Sequence, residues 1–407
     1  PSFEAEQFVP WVDGHGRVDE AEVRRRAEAL ASEREQQLAG WSITQADAKA
    51  FVAGSHVRVL TPGSSAGEPL HILSALERHP QAWAADPEGA RAALSAAISL
   101  VLRLLGRDSD PSKSREHVLL AVLAERRLML GQTAELGSLL EEVLQPPLER
   151  IGALKVNDFL SVKERRSLAA ALNTLLASPT FASWRQGASL DIGEWLTPRD
   201  GRTPAVIVSV AHLDDEERAL VLGVLLEEVV AYMRSQPGSK ELRALIAFDE
   251  VYGLLPPHPR NPPTKRPLVT LMKQGRAFGL GVLVATQNPM DLDYRVLSNA
   301  GFWAVGRLQT DADRARVVES LAHAEEPGSS PAELGHLLRR IGPRWFLVRD
   351  AHASSKLALL RPRWALSYLR GPMTPSELRR AIGKRGAVAE AQIARISRGS
   401  KVILENA

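Results

Sequence analysis

The spacing of apolar residues changes character along the chain. From about residue 76 to residue 178, apolar residues recur every three to four positions, which is the period of an amphipathic helix. Leu168, Leu172 and Leu175 form one such series. From Pro204 onward, short apolar runs alternate with helical stretches, an order that is typical of a parallel α/β sheet. The pattern therefore predicts an all-α segment that is followed by an α/β region.

The remaining stretches complete a four-part division. Asp19 is predicted to cap a long charged helix that runs to about Ala39, and Val57–Leu60 is predicted to form a short strand. The last 34 or so residues carry seven Lys/Arg against three Glu, which we interpret as the solvated face of a helix rather than a DNA-binding arm. The predicted segments are a first part of the α/β core (1–75), an all-α insertion (76–180), the rest of the core (181–373) and a basic helical tail (374–407).

Within the α/β region the strands and helices can be placed from local signals. Ala205–Val210 is a nearly continuous apolar run, as expected for a strand that is covered on both faces. Asp214 stands three residues before Glu217, which predicts a capped helix start. Later predicted elements are strands at Leu242–Glu250, Gly279–Asn288, Trp303–Leu308 and Trp345–Val348, and helices at Leu268–Ala277 and Asp311–Ala322.

Two of these strands end in residues that could carry chemistry. One apolar run ends in Asp249-Glu250, and the next ends near Gln287. In a doubly wound sheet the ligand site lies at the carboxyl ends of the strands, so we expect these side chains to lie close together. Strand alternation predicts that Asp249 and Glu250 point in opposite directions. The alternative is that acidic and amide residues simply mark the points where the strands leave the core.

The chemistry that this set suits is nucleotide hydrolysis. Asp249 is placed to hold Mg²⁺ through its water shell, because Mg²⁺ dehydrates reluctantly. Glu250 could polarise the attacking water, and Gln287 could orient that water or contact the γ-phosphate. Such a site needs a phosphate cradle as well, and no G-x-x-x-x-G-K-[ST] motif occurs in the 407 residues.

Two arginines are candidates for stabilising the transition state. Arg276 follows the helix between the two strands, where it could reach the ATP of a neighbouring subunit. Such an arginine contributes roughly 10³–10⁵ in rate in GTPases. The alternative is a cation at a helix C-terminus, which the helix dipole favours. Arg307 is a second candidate for the same role.

Composition excludes several other classes of function. The chain has no cysteine, which excludes disulfides, thiolate zinc sites and cysteine nucleophiles. No apolar stretch reaches the ~18 residues of a membrane span, and no signal peptide is visible, so we expect a cytoplasmic protein. A net charge of +3 permits nucleic acid as a partner without requiring it. His117 begins a predicted helix, and we interpret it as structural.

Several longer stretches resemble one family of motor ATPases, the HerA/FtsK-type branch of the P-loop ATPases. The similarity is strongest to bacterial HerA-like ATP-binding proteins that are related to conjugation and type IV secretion ATPases. It covers most of the chain. The stretches that carry it are ALIAFDEVYGLLPP, LMKQGRAFGLG, LVATQNPMDLDY, LSNAGFWAVGRLQTDAD, LTPGSSAG, SREHVLL and RWALSYLRGP.

The resemblance implies both a fold and an assembly. The fold is a RecA-like parallel sheet flanked by helices, here with an all-α insertion domain. The assembly is a homohexameric ring that uses ATP and Mg²⁺ to translocate double-stranded DNA through a central pore. The matched positions imply that Asp249 holds the metal, Glu250 is the catalytic glutamate, Gln287 is the sensor and Arg276 acts in trans. The strand and phosphate loop that the motif search does not find are expected just before residue 1.

The sequence therefore predicts a HerA-like, ATP-dependent DNA translocase or helicase motor. Two alternatives stay open. The chain could be a non-hydrolysing scaffold or DNA-binding subunit that has lost the phosphate loop, or a secretion-type motor that moves protein. A nuclease or another effector protein is a candidate partner.

Overall fold

The computed structural model describes residues 4–12, 19–77, 86–287, 289, 292–293, 299–322, 330–353 and 357–362. These residues fall into two compact units. The first comprises the described residues up to Leu70 together with Glu194–Ser209, and the second comprises those in His71–Gly193 and Val210–Pro362. The four segment boundaries that the sequence predicts stay a prediction. The predicted basic tail lies outside the described residues.

The described α-helices match most of the periodic stretches of the sequence. They are α1 (Ala5–Val12), α2 (Glu20–Ala39), α3 (Gln45–Ala53), α4 (Pro87–Leu104), α5 (Arg115–Met129), α6 (Leu136–Leu144), α7 (Val156–Phe159), α8 (Val162–Ala177), α9 (Ile192–Leu196), α10 (Asp215–Ser235), α11 (Lys265–Gln274), α12 (Asp311–Ala322) and α13 (Pro331–Arg340). None of these described helices is both long and apolar enough to cross a membrane.

The strands are shorter and more scattered than the helices. They are β1 (Ser55–Pro62), β2 (Glu68–His71), β3 (Arg150–Ile151), β4 (Leu154–Lys155), β5 (Ala188–Ser189), β6 (Thr203–Val208), β7 (Ser239–Phe248), β8 (Phe278–Val284), β9 (Phe302–Val305), β10 (Phe346–Asp350) and β11 (Leu357–Leu360).

The first unit is built around the parallel strands β2, β1 and β6. β1 is central and pairs with β6 from Ser55 opposite Thr203 onward, and with β2 near Leu60. Helix α3 lies against β1. A separate small core joins α1 to α2, where Phe8 packs against Ala27 and Ala31. Parallel strands with helices beside them confirm the α/β class that the sequence predicts.

The second unit contains a large helical core. α4 packs along α10, and α6 packs along α8. The apolar series that predicted these helices face inward: Leu168, Leu172 and Leu175 are each fully buried. The predicted capping box of α10 is confirmed, because the Asp214 side chain accepts from the Glu217 amide and the Glu217 side chain accepts in return. A two-strand hairpin, β3–β4, interrupts the predicted all-α segment.

The second unit also holds two small sheets. β7 and β8 pair in parallel, as predicted, and α10 and α11 pack on β8. The predicted strands near Trp303 and Trp345 exist, but they are antiparallel partners in the three-stranded sheet β9–β10–β11. The parallel order that the alternation of strands and helices predicts does not extend to these two strands, because an apolar run specifies a strand and not its orientation. Trp303 and Leu347 of this sheet share a core with α12 and α13.

Candidate functional site

The site lies where the parallel strands β7 and β8 end together. Their register runs from Ala244 opposite Leu280 to Phe248 opposite Val284. Backbone pairing continues past both strands: the Ala285 amide donates to the Phe248 carbonyl at 2.9 Å, and the Val251 amide donates to the Ala285 carbonyl at 3.0 Å. The acid pair that follows β7 and the Thr-Gln pair that follows β8 therefore leave the sheet side by side.

Glu250 has a strained backbone at this edge. Its φ is +60°, in the left-handed region that a glutamate rarely adopts. Such a conformation costs on the order of 1–3 kcal/mol and tends to persist at functional sites. β7 ends at Phe248, so the acid pair lies beyond the strand and strand alternation does not apply to it; the opposite directions of Asp249 and Glu250 stay a prediction.

The Glu250 carboxylate is held from the neighbouring strand. The Thr286 hydroxyl donates to Glu250 Oε1 at 3.2 Å. This contact fixes the carboxylate of one strand end to a side chain of the other. Thr286 is not among the residues predicted from the sequence, although a hydroxyl residue directly before the Gln287 amide at the end of an apolar strand is an available signal.

Asp249 and Gln287 are both exposed at the same edge. Among the described residues, neither side chain has a hydrogen bond or ion pair inside the chain, and no group of three His, Asp or Glu residues is arranged as a protein-only metal site. Mg²⁺ typically takes one or two protein carboxylates and completes its shell with water and substrate phosphates. One free, exposed aspartate beside a second acid fits that arrangement.

The two candidate arginines lie elsewhere. Arg276 is exposed in the turn that precedes β8, whereas Gln287 follows β8. Seven strand residues at ~3.3 Å each separate the two ends by about 23 Å. Arg307 is exposed after β9, in the antiparallel sheet. Within the described ranges, no hydrogen bond or ion pair joins either arginine to Asp249, Glu250 or Gln287.

The segment after the acid pair is basic, a feature that is not among the predictions from the sequence. Residues 256–278 contain five Lys/Arg and no Asp or Glu. Arg260, Arg266 and Lys273 are exposed, and in the described part of the chain the side chains of Arg266 and Lys273 form no ion pair. Lys265 is the exception, because it is buried.

No protein-family model matches the chain, and no curated protein matches it. Solved structures with a similar backbone include the plasmid coupling protein TrwB bound to ADP and Mg²⁺, at 13% identity and a TM-score of 0.43, covering 79% of this chain and 82% of that one. Another is the genome packaging NTPase B204 of Sulfolobus turreted icosahedral virus 2 bound to ATPγS. It has 13% identity and a TM-score of 0.28, and covers 40% of this chain and 70% of that one.

Proposed function

We propose that this chain is the ATP-hydrolysing motor subunit of a HerA-like DNA translocase. One observation carries the proposal: the paired ends of β7 and β8 bring Asp249, Glu250 and Gln287 to one edge, with Glu250 strained and bound by Thr286. The sequence resemblance to HerA-like motors, drawn from these same stretches, supports it.

The residues divide the chemistry between them. Asp249 would bind Mg²⁺ that is coordinated to the nucleotide phosphates, and Mg²⁺ would neutralise charge as the γ-phosphoryl group is transferred. Glu250 would accept a proton from the attacking water, and Gln287 would orient that water. The Thr286 hydrogen bond keeps the Glu250 carboxylate at the edge where the water is needed.

The decisive test is turnover of ATP by the purified protein and by its Glu250→Gln variant. The variant keeps the size of the side chain and removes its basicity. We expect turnover to fall by roughly 10²–10⁴, which is the usual contribution of a general base, while binding of Mg²⁺ and a fluorescent ATP analogue is retained. Unchanged turnover in Glu250→Gln contradicts the assignment of Glu250.

A scaffold function is the second candidate, because the sequence has no G-x-x-x-x-G-K-[ST] motif. It predicts no ATP turnover and no binding of the ATP analogue by the purified protein. DNA binding that is independent of ATP and insensitive to Glu250→Gln is the positive result that would establish it.

DNA is favoured over protein as the cargo by the basic segment at 256–278. Arg266 and Lys273 are exposed and form no ion pair with the described residues, so they can contact phosphates. Each phosphate contact adds about one unit to the slope of log K against the logarithm of salt concentration. We expect the double variant Arg266→Ala/Lys273→Ala to bind DNA more weakly and to lower that slope by about 1–2. If the segment contacts a protein cargo instead, the double variant should bind DNA as tightly as the wild type does.

The control for this experiment is Lys163→Ala/Arg166→Ala on α8. These two residues are exposed and carry the same charge, but they lie on the helical segment. If both double variants weaken DNA binding equally, the effect is one of net charge and the basic segment is not the contact surface.

Arg276 is proposed to act on the ATP of a neighbouring subunit, since it lies at the opposite end of β8 from Gln287. Glu250→Gln and Arg276→Ala are then each expected to be inactive alone. Mixed oligomers should recover turnover, because some sites combine an intact Glu250 with an intact Arg276 from the neighbour. No recovery on mixing contradicts action in trans.

A further inference from the structure

Two adjacent residues at the start of α11 are unusual for a helix N-terminus. Thr264 is at the N-cap position and makes no side-chain cap hydrogen bond. Threonine is a common capping residue, but here its buried hydroxyl donates to the Leu254 carbonyl at 2.7 Å. Lys265 places a cation at the first helical position, where the helix dipole is unfavourable. Both residues therefore serve contacts other than those of the helix itself.

Lys265 forms an ion pair that is almost completely buried. Its ammonium lies 2.8 Å from Asp293 Oδ2, and the two side chains are 10% and 3% exposed. It also donates to the Arg260 carbonyl at 3.2 Å. A buried ion pair is often no more stabilising than apolar residues of similar volume, whereas removal of one partner leaves a costly unpaired charge. The pair is thus better explained by the geometry that it specifies than by stability.

The geometry joins the chain after Glu250 to the chain after Gln287. Asp293 donates its backbone amide to the Leu255 carbonyl at 2.8 Å, next to the carbonyl that Thr264 binds. Leu254 and Leu255 are buried there. The loop 251–264 is therefore anchored between α11 and the segment that contains Asp293. The anchors are hydrogen bonds to three of its carbonyls, those of Leu254, Leu255 and Arg260.

We infer that Lys265 and Asp293 are positioning residues of the proposed ATPase site. Their ion pair fixes the loop that follows the acid pair, keeps Val251 bound to Ala285, and so holds the Glu250 carboxylate beside Thr286. Among the described contacts, no hydrogen bond or ion pair joins either residue to the acid pair itself. This inference rests on the proposed function, so its test includes a measurement that does not need turnover.

That measurement is hydrogen exchange of the full-length protein, resolved to the Val251 and Asp293 amides. We compare wild type with Lys265→Met, Asp293→Asn and the exchanged pair Lys265→Asp/Asp293→Lys. Both single variants should speed exchange at these amides by roughly tenfold, because the loop opens locally. Amides of α4 and α10 should keep their protection. The exchanged pair should restore protection of the loop.

The control is Lys113→Met, which breaks an exposed ion pair with Asp110 at 3.0 Å. It should leave exchange of the loop unchanged. Unchanged exchange at Val251 in Lys265→Met overturns the inference. Equal acceleration in the loop and in α4 and α10 also overturns it, because the pair would then support only the fold.

Turnover supplies the second measurement. Lys265→Met should lower kcat for ATP with KM unchanged, since the pair does not contact the nucleotide, and the exchanged pair should restore kcat. A rise in KM at constant kcat overturns the positioning role. A wild-type protein without turnover contradicts the proposed function instead, and the exchange measurement then still decides whether the ion pair holds the loop and the Val251 amide.

Discussion

The two parallel strand pairs of the molecule, β1/β6 in the first unit and β7/β8 in the second, end very differently. At the end of β1, Thr61 is 1% exposed. Its hydroxyl donates to the Ser64 carbonyl at 2.9 Å and accepts from the Gly67 amide at 3.1 Å, which closes the turn on itself. At the end of β7, Asp249 and Glu250 are exposed, and Glu250 has a left-handed backbone.

The difference separates a strand end that is closed by its own hydrogen bonds from one that is open to solvent. Both pairs have the apolar composition of a parallel sheet, so the strands alone do not indicate where a ligand binds. At the β1 end, the buried Thr61 hydroxyl forms its hydrogen bonds within the chain. The β7 end leaves a carboxylate free for a ligand and maintains local strain. Substitutions at the β1 end should therefore change stability, and those at the β7 end should change activity.

After Glu250→Gln, the largest effect is expected from Asp249→Asn. The amide keeps the shape of the side chain and loses the negative charge that Mg²⁺ needs, so turnover should fall on the order of 10²–10³. The fall should be partly reversed by raising the Mg²⁺ concentration. Turnover measured across a Mg²⁺ titration checks this.

Asp158→Asn is the matched control, because Asp158 is an exposed aspartate on α7, away from the strand ends. It should have wild-type turnover at every Mg²⁺ concentration. An Asp249→Asn variant with the same Mg²⁺ dependence as this control contradicts a metal-binding role for Asp249.

The adjacent acid and amide residues of the site could be predicted because they are local signals. Asp249, Glu250 and Gln287 each follow an apolar run, and parallel strands bring such ends together. The capping box at Asp214 is a local signal of the same kind.

The features that could not be predicted from the sequence are determined by the folded chain. The left-handed φ of Glu250 has no sequence signature, because glutamate is not a residue that favours it. The Lys265–Asp293 ion pair joins residues whose proximity only the folded chain determines. For the same reason, the antiparallel pairing of β9 with β10 could not be deduced from their apolar composition.

A smaller effect on activity is expected from Thr286→Val. Valine has the shape of threonine and cannot donate to Glu250 Oε1. A single hydrogen bond contributes about 0.5–1.5 kcal/mol, so kcat should fall roughly threefold to tenfold. Thr286→Ser retains the hydroxyl and should recover most of the wild-type kcat. If serine is as impaired as valine, the hydrogen bond is not what positions Glu250.

At the β1 end, Thr61→Val should affect stability and leave kcat unchanged. The substitution leaves the half-buried Ser64 carbonyl and Gly67 amide without the hydroxyl that pairs them. We expect a loss of about 1–3 kcal/mol in the free energy of unfolding, measured by urea denaturation. A decrease in kcat comparable to that of Thr286→Val would remove the distinction between the two strand ends.

The smallest expected effect is the pH dependence of folding stability that comes from His56 on β1. Burial is the main cause that lowers the pKa of His56, and the nearby positive charges of Arg202, Arg199 and Arg58 lower it further, against a weaker opposing effect of Asp200. Between the lowered pKa and the ordinary pKa, the unfolded chain binds more protons than the folded one. The contribution of neutral His56 to stability is therefore complete above the ordinary histidine pKa, and it is lost as the pH falls towards the lowered pKa.

His56→Gln should reduce this loss of stability in acid. Urea midpoints at about pH 7.5 and pH 5.5 should differ less in the variant than in wild type, because glutamine does not titrate in this range. Burial also lowers the pKa of His117, but His117 is present in both proteins, so its contribution cancels in the comparison. An equal shift of the midpoint in both proteins would show that His56 does not couple protonation to folding at this strand pair.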